Sequence, residues 1–382
     1  MPNRLLLASA GAGKSELIVK EALKTADAGN KVLLLTYTVN NQAELMKHIC
    51  RIHKVQPRNV VIKGWFSFLL EDMIRPYQRC IVPERVSGIV LDSSNPHLKG
   101  NFHIPGRKEE VDGAYNPLHF VTKKNNAAHS TFLSKLAARI HERTDGKSVL
   151  RLVSIYDAVF IDEVQDLVGW DFEVIRAIAK AGIGTLFCVG DFRQTIYRTS
   201  VALKKPKTNA EKLEAFQKME FVPEHLNMSW RCIQSICDLA DRIHAGDGYY
   251  LPTTSKIAKI PIEFADHHGV FAVPASRIID YVEKYNPIIL RWNRKTNKPL
   301  CEGRAALNFG ESKGAGFNRV LILPTASQAK FLSGSLTAFS EDDTDETRNK
   351  LYVGITRGRY SVAFLHEREH VIEGVQMWDP SK

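Results

Sequence analysis

Several features that would fix the class of a protein are missing from this sequence. No run approaches the roughly 20 apolar residues of a membrane-spanning helix, so we expect none. The six cysteines include no Cys-x-x-Cys pair, and the spacing of Cys232 and Cys237 suits neither a zinc ribbon nor an iron–sulfur site. Internal repeats and long low-complexity tracts are also absent. The cysteines are therefore predicted to be buried free thiols of a protein in a reducing cytoplasm.

Negative charge is in short supply relative to positive charge. The chain has 52 Lys and Arg against 42 Asp and Glu, a formal net charge of +10. Such an excess favours a polyanionic partner, although many basic proteins bind no nucleic acid specifically. The length of 382 residues exceeds one typical core and favours two domains.

Short apolar runs alternate with helical patterns through much of the chain. In the first part, strands are predicted at 5–7 and 31–36, and helices at about 15–28 and 42–52. Further strands are predicted at 159–161 and 186–189, with a helix at about 172–180 between them. Alternation of this kind predicts an α/β fold with parallel sheets covered by helices on both faces.

The domain organisation follows from where this rhythm breaks. Residues 76–147 contain several turn-forming and polar stretches and are predicted to be an insertion of loops and short helices. A second α/β set has strands predicted at 288–290, 319–323 and 361–365. We therefore predict an N-terminal domain at 1–225 and a C-terminal domain at 226–382.

A glycine-rich segment, Ala8-Ser-Ala-Gly-Ala-Gly-Lys-Ser15, follows the first predicted strand and opens the first predicted helix. This is the context of a phosphate-binding P-loop, in which backbone amides and the helix N-terminus bind phosphate. Lys14 is predicted to reach the β- and γ-phosphates of ATP, and the Ser15 hydroxyl to ligate Mg²⁺. The predicted nucleotide-binding residues of this loop are Ala10, Gly11, Ala12, Gly13, Lys14 and Ser15. The alternative is a glycine-rich turn with an exposed lysine.

Two carboxylates follow the predicted strand at 159–161. Asp162 is placed to hold Mg²⁺ through water, and Glu163 to polarise the water that attacks the nucleotide. Taken alone, an apolar run followed by Asp-Glu also describes a strand that ends in a solvated turn. The P-loop about 150 residues earlier favours the catalytic interpretation.

Beyond these two motifs, the chain resembles the UvrD/Rep/PcrA group of superfamily 1 helicases. Asp162-Glu-Val-Gln-Asp166 is similar to motif II of that family, and other segments match its remaining motifs in order. These segments are residues 33–40, 64–68, 189–197, 226–231, 312–320 and 352–357. The resemblance covers residues 8 to 365 and implies two tandem RecA-like P-loop domains with ATP and Mg²⁺ as cofactors.

The resemblance also implies roles for individual residues of the nucleotide site. Gln194 is expected to sense the γ-phosphate or the attacking water, and Trp230 to stack on the adenine. Arg231 and Arg357 are expected to neutralise charge on the transferring phosphoryl group, although a single arginine is more often a surface residue. Gly314, in the segment similar to motif V, is expected to border the nucleotide.

Aromatic residues in these segments are candidates for binding single-stranded nucleic acid, which the resemblance implies to be DNA. Such strands are held by stacking of bases on aromatic rings. Aromatic residues beside apolar runs are usually core residues, which is the alternative for this set. The aromatic candidates are Tyr37, Trp65, Phe66 and Tyr197, and Thr38 beside Tyr37 is a further candidate.

The sequence departs from the family at several points. Only seven residues precede Ala8, which leaves no room within this sequence for the upstream glutamine motif that reads adenine. Gly316 occupies the position of a glutamate in motif V, and no aromatic residue follows Tyr197 closely. About 80 residues separate Arg231 from Ser312, too few for the large second-domain insertion of the family.

Three functions are compatible with this sequence. The first is an ATP-dependent translocase or helicase stimulated by single-stranded nucleic acid. The second is an ATPase regulatory subunit that licenses a companion nuclease in a phage-defence or DNA-repair complex. The third, a degenerate nucleotide-dependent binding module, is disfavoured because Lys14, Glu163, Gln194 and Arg357 are all present.

Overall fold

The computed structural model describes residues 3–92, 94–196, 204–340, 345–368 and 370–380. Two six-stranded sheets with helices between their strands dominate these residues. This arrangement confirms the predicted α/β class with two RecA-like domains. The described residues form two compact units. The first contains residues 3–6, 14–190 and 204–224, and the second contains 7–13, 191–196 and the described residues from 225 onward.

The first part of the chain contains twelve strands and eight α-helices among its described residues. The strands are β1 (Arg4–Ala8), β2 (Val32–Thr36), β3 (Val60–Gly64), β4 (Ile89–Val90), β5 (Leu98–Lys99), β6 (Phe102–His103), β7 (Glu110–Val111), β8 (Ala114–Tyr115), β9 (Ala128–His129), β10 (Ala158–Ile161), β11 (Thr185–Gly190) and β12 (Val222–Leu226). The helices are α1 (Lys14–Asp27), α2 (Val39–His53), α3 (Trp65–Phe68), α4 (Pro117–Phe120), α5 (Leu133–Arg143), α6 (Lys147–Ile155), α7 (Trp170–Lys180) and α8 (Asn209–Lys218).

The first large sheet has the strand order β12-β1-β11-β10-β2-β3. Strands β11, β10, β2 and β3 pair in parallel. All five residues of β2 and all four of β10 are buried, as expected for strands covered on both faces. Buried residues of α1 recur at helical spacing, so this helix packs one apolar stripe against the sheet. The strands and helices predicted from 5 to 52 and from 159 to 189 are confirmed to within a few residues.

The segment predicted as an insertion, 76–147, consists of short strand pairs, short helices and the longer helix α5. Strands β5 and β6 form one antiparallel pair, and β7 and β8 form another. Three buried histidines pack around Phe132: the ring centroids of His97 and His119 lie 4.4 and 4.9 Å from that of Phe132, and the His129 ring lies 6.4 Å from that of His97. This segment therefore has a small core of its own.

The second part of the chain contains the second large sheet, with the strand order β17-β16-β18-β19-β15-β20. All of its strand pairings are parallel. The strands of this part are β13 (Met228–Ser229), β14 (Thr254–Ser255), β15 (Gly269–Pro274), β16 (Ile288–Arg291), β17 (Ala306–Asn308), β18 (Phe317–Ile322), β19 (Gly358–His366) and β20 (Gln376–Met377). The helices are α9 (Gln234–Arg242), α10 (Ile278–Tyr285), α11 (Lys298–Cys301), α12 (Ala326–Leu332) and α13 (Glu346–Ile355). The strands predicted at 288–290, 319–323 and 361–365 are confirmed as β16, β18 and β19.

The cysteines are all free thiols, but only four of them are buried. Cys50 and Cys80 are exposed, so the prediction of uniformly buried thiols is wrong for these two. Cys50 lies on the solvent face of α2, where helical periodicity alternates buried with exposed positions. No helix in the described part of the chain is long and apolar enough to cross a membrane.

An unusual histidine in the second unit leads to a prediction about acid stability. His267 is buried between the rings of Phe271 and Tyr285, at centroid distances of 4.3 and 3.7 Å, and neither ring nitrogen has a hydrogen-bond partner among the described residues. Burial, followed by the nearby Arg319, lowers the pKa of His267 to about 4. The unfolded chain takes up a proton near pH 6.5, which the folded chain resists. Stability is therefore lost as pH falls from about 6.5 to about 4.

We expect His267→Phe to reduce this loss, because phenylalanine keeps the stack and does not titrate. Between pH 7 and pH 5, the melting temperature of the natural protein should fall more than that of the variant. Each kcal/mol lost from the free energy of unfolding lowers the melting temperature by about 2–4 °C. The exposed His268, changed to Phe, is the matched control and should retain the natural pH dependence. Identical pH profiles for all three proteins would contradict the assignment to His267.

Candidate nucleotide-binding site

The predicted phosphate loop connects β1 to α1, as a P-loop requires. Gly11 and Gly13 have positive φ angles of 73° and 85°, which glycine adopts without steric cost. A Cβ at Gly11 would lie 2.6 Å from the Cβ of Arg231, so this position has no room for a side chain. The glycines are thus required by the path of the loop and by its close approach to Arg231.

Hydrogen bonds fix the backbone of this loop within the second unit. The Ala10 carbonyl accepts from the Ser229 hydroxyl at 2.9 Å, and the Gly11 carbonyl accepts from the Trp230 amide at 3.0 Å. The Ala10 amide donates to the Tyr352 hydroxyl at 3.3 Å. The loop is therefore held by the two segments that carry Trp230 and Tyr352.

Three predicted site residues meet in the first unit, where α1 begins and β10 ends. The Lys14 Nζ lies 3.6 Å from the Glu163 carboxylate, and both side chains are largely buried. The Asp162 carboxylate accepts from the Glu163 amide at 3.0 Å and is buried. Burial, followed by the Glu163 carboxylate, raises the pKa of Asp162 to about 7. A cluster of one ammonium and two carboxylates has the charges that bind a phosphate with its metal ion.

The position of Glu163 depends on residues that carried no predicted role. Glu163 has a left-handed backbone with φ of 55°, and its carboxylate accepts from the Gln165 side-chain amide. The Gln165 carbonyl in turn accepts from the Nζ of Lys212 at 2.5 Å, and both residues are fully buried. Lys212 lies on α8, in a polar stretch whose sequence gives no sign that this lysine is buried.

Two other predicted catalytic residues, Gln194 and Arg357, are in contact within the second unit. Arg357 Nη2 donates to Gln194 Oε1 at 3.1 Å. Arg357 is only 1% exposed and also donates to the carbonyls of Val353 and Ala315, at 3.1 and 3.0 Å. The surface alternative therefore does not describe this arginine.

The remaining predicted nucleotide-site residues lie near the phosphate loop or on the surface. Trp230 is 63% exposed. The guanidinium of Arg231 donates to the Thr356 carbonyl at 3.4 Å. A Cβ at Gly316 would lie 3.3 Å from the Nε of Arg231, so glycine at this position leaves room for this arginine. Gly314 is exposed in a turn with φ of 87°.

Sequence analysis missed a buried arginine beside the phosphate loop. The guanidinium of Arg193 donates to the carboxylates of Asp191 and Asp241, both at 3.0 Å. Its Cζ lies 4.5 and 4.6 Å from the ring centroids of Tyr250 and Tyr352. Burial disfavours the charged guanidinium, but the Asp191 carboxylate and the other neighbours raise the pKa of Arg193 overall. No local pattern in the sequence distinguishes this residue from a surface arginine.

Among the predicted nucleic-acid-binding residues, Tyr37 and Phe66 form an edge-to-face pair with ring centroids 5.6 Å apart, and both are half-buried. The Thr38 hydroxyl caps the N-terminus of α2 by accepting from the Asn41 amide at 3.1 Å. Tyr197 lies outside the described residues. Tyr37 and Phe66 thus form a single aromatic patch with partly exposed rings.

Trp65 occupies a different environment from the one predicted for it. The side chain is 1% exposed, and its indole N–H donates to the Asp171 carboxylate at 2.7 Å. The structure therefore contradicts a stacking role and supports the alternative of a core residue. The physical reason is that the apolar run after Gly64 continues into the buried π-helical turn Leu69–Ile74, which takes this tryptophan into the core.

A strand, a glycine loop with a lysine at the start of a helix, and two carboxylates after a second strand define a P-loop nucleotide-binding fold. The AAA_19 family, described as AAA domain, matches residues 1–200. The chain belongs to this family. No curated protein shows a significant sequence match.

Two solved structures are similar to this chain over most of its length. The crystal structure of Arterivirus nonstructural protein 10 (helicase) is 13% identical to this chain, with a TM-score of 0.44. The similar region covers 95% of this chain and 59% of the Arterivirus chain. The protein in the complex of Arterivirus nonstructural protein 10 (helicase) with DNA is 14% identical, with a TM-score of 0.42. The similar region covers 95% of this chain and 60% of the chain in that complex. The chain thus spans about three fifths of the length of these structures.

Proposed function

We propose that this protein is an ATP-hydrolysing motor that moves along single-stranded nucleic acid, of the UvrD-like helicase type. The observation that carries the proposal is the cluster of Lys14, Asp162 and Glu163 at the end of a phosphate loop. Membership of the AAA domain family and the contact between Gln194 and Arg357 add support.

The residues of the site fit a magnesium nucleotide. Asp162 follows β10 at the point where the neighbouring strand β2 ends in Thr36, and both residues are buried. The buried Thr36 hydroxyl has no hydrogen-bond partner among the described residues. We propose that Ser15 and Asp162 hold Mg²⁺, and that Lys14 and the loop amides bind the phosphates. A bound Mg²⁺ would neutralise charge that develops on the phosphate oxygens.

In the proposed reaction, Glu163 takes a proton from the attacking water while Gln165 keeps its carboxylate in place. Gln194 is proposed to sense the γ-phosphate or the attacking water, and Arg231 and Arg357 to supply positive charge where negative charge accumulates in the transition state. Lys14 must leave its ion pair with Glu163 to reach phosphate. Nucleotide binding would therefore release the Glu163 carboxylate for its role as base.

The nucleic-acid partner is proposed on charge and on the aromatic patch of Tyr37 and Phe66. The net charge of +10 supplies affinity for phosphates that depends on salt, and partly exposed aromatic rings can stack on unpaired bases. Single-stranded DNA is the proposed track.

The test of the proposal is an ATPase assay on the purified chain with single-stranded DNA, single-stranded RNA, duplex DNA and no nucleic acid. We expect hydrolysis that requires Mg²⁺ and rises at least tenfold with single-stranded DNA. ATP turnover that does not respond to any nucleic acid would support the alternative of a regulatory ATPase subunit. No ATP turnover under any of these conditions would overturn the proposal.

A prediction about nucleotide affinity arises from the exposed Trp230. We expect Trp230→Ala to raise the dissociation constant for ATP by about tenfold, since stacking on a base contributes about 1–3 kcal/mol. Turnover at saturating ATP should change little, because the ribose and two phosphates separate the adenine from the transferring γ-phosphate. Titration with a fluorescent ATP analogue measures the change. Trp230→Phe, which keeps a stacking ring, should bind nearly as well as the natural protein, and equal weakening by both variants would contradict stacking.

A second prediction concerns strand separation. The second-domain insertion of the UvrD-like family does not fit between Arg231 and Ser312, so a surface that splits base pairs is reduced. We expect the isolated chain to unwind short tailed duplexes weakly and blunt or long duplexes poorly. A gel assay that follows release of a labelled strand measures this activity. Processive unwinding of about a hundred base pairs, within one DNA persistence length, would contradict the prediction.

A further inference from the structure

The hydroxyl of Tyr352, on α13, joins the phosphate loop to an acidic residue. It accepts from the Ala10 amide at 3.3 Å and donates to Asp191 Oδ2 at 3.1 Å. The directions of these bonds are fixed, because an amide nitrogen only donates and a carboxylate only accepts. Tyr352 is 1% exposed, so water does not replace either partner.

The same carboxylate fixes the orientation of Gln194. The Gln194 Nε2 donates to Asp191 Oδ2 at 2.8 Å, and the Gln194 Oε1 accepts from Arg357 at 3.1 Å. The guanidinium only donates, so the amide group of Gln194 has one allowed orientation between these two neighbours. Four consecutive hydrogen bonds thus run from the Ala10 amide to Arg357, all within the second unit.

We propose that Tyr352 is a positioning residue that couples the phosphate loop to Gln194 and Arg357 through Asp191. This inference rests on the proposed ATPase function and assigns a role in it that the motif residues alone do not supply. Displacement of the Ala10 amide changes the bonding of the Tyr352 hydroxyl and therefore that of Asp191. The amide of Gln194 then reorients, so that the state of the phosphate loop determines how Gln194 and Arg357 meet a γ-phosphate.

A neighbouring tyrosine provides a matched control. The rings of Tyr352 and Tyr250 lie over the same Arg193 guanidinium, at 4.6 and 4.5 Å. The Tyr250 hydroxyl is also buried, but it has no hydrogen-bond partner in the described part of the chain. Tyr250→Phe therefore removes a buried hydroxyl with the same cationic neighbour and leaves the chain of hydrogen bonds intact.

The experiment compares Tyr352→Phe and Tyr250→Phe in the full chain. DNA-stimulated ATPase assays give kcat and KM, and calorimetry gives the dissociation constants of ADP and of the non-hydrolysable analogue AMPPNP. For Tyr352→Phe we expect kcat to fall about tenfold, the effect of losing one hydrogen bond to a charged group. Its KM should stay within about threefold, and its preference for AMPPNP over ADP should shrink by a similar factor of about ten. Tyr250→Phe should match the natural protein within about twofold in all four quantities.

A double-mutant cycle separates positioning from general destabilisation. If Tyr352 acts through Gln194, adding Tyr352→Phe to Gln194→Ala should cause little further loss of kcat. A full additional tenfold loss in that background, or a Tyr352→Phe protein that behaves like Tyr250→Phe, would overturn the inference. If the natural protein does not hydrolyse ATP, the proposed function is overturned instead. The ratio of the dissociation constants of ADP and AMPPNP would then test the role of Tyr352 independently of turnover.

Discussion

The variant Glu163→Gln should lose ATP turnover by about 10²–10⁴-fold, the usual contribution of a general base. Glutamine has nearly the shape of glutamate, so the bond from the Gln165 side chain has a similar acceptor. Nucleotide affinity should be unchanged or higher, because Lys14 loses the carboxylate that lies 3.6 Å away and is free to bind phosphate. Lys14→Ala should show the opposite pattern, with weakened binding. Calorimetry with MgAMPPNP and a steady-state ATPase assay measure the two quantities separately.

The matched control for this variant is Glu44→Gln. Glu44 is an exposed carboxylate that contributes only weakly to the electrostatics of Asp162. Its replacement should leave turnover within about twofold of the natural rate, as is usual for surface positions. Natural turnover in Glu163→Gln would show that another group accepts the proton.

The second large effect is expected for Arg357. Removal of an arginine that stabilises the transition state costs about 10³–10⁵ in rate, and Arg357 is the buried arginine in contact with Gln194. Arg357→Lys should lose most of this rate, because lysine keeps the charge but lacks the several donors of a guanidinium. Nucleotide affinity should change less than about threefold, since the charge acts mainly in the transition state.

Arg357→Ala differs from Arg357→Lys in one respect that the structure makes clear. It removes both side-chain hydrogen bonds to the carbonyls of Val353 and Ala315 and leaves no amine in their place, so we expect it to lower the melting temperature more than Arg357→Lys does. Arg359, two residues further on, is exposed, and Arg359→Ala should retain both rate and stability. A change in nucleotide binding with unaltered turnover of the bound complex would remove Arg357 from the transition state.

Local sequence patterns predicted the buried strands and the phosphate loop correctly. Strands β2 and β10 are short runs of mainly apolar residues, which is typical of buried strands. The spacing of the glycines before Lys14 is typical of a P-loop. For this reason strands β1, β2, β10 and β11 of the first sheet and the residues of the cluster around Glu163 could be predicted without coordinates, whereas β3 and β12 were not predicted. The motifs assigned Lys14 and Glu163, about 150 positions apart, to one nucleotide site, and the structure places their charged groups 3.6 Å apart.

Residues whose roles depend on distant partners could not be found in this way. Lys212 is a buried lysine on a helix with a polar sequence, and Arg193 is buried between carboxylates and tyrosines from other segments. The prediction for Trp65 was wrong because its environment also depends on distant residues. An aromatic residue at the end of a strand can face solvent or the core, and only the packing of α3 against the rest of the unit decides which.

The distribution of accessible thiols has a practical consequence. Cys50 and Cys80 are exposed and both belong to the first unit, whereas the four other cysteines are buried. Maleimide dyes added to the natural protein would therefore mark one unit and leave the other unmarked. Partial burial raises the pKa of the Cys80 thiol, which slows its conversion to the reactive thiolate. Short exposure near neutral pH should then favour a single label at Cys50, and fluorescence studies of nucleotide binding could begin without removing any cysteine.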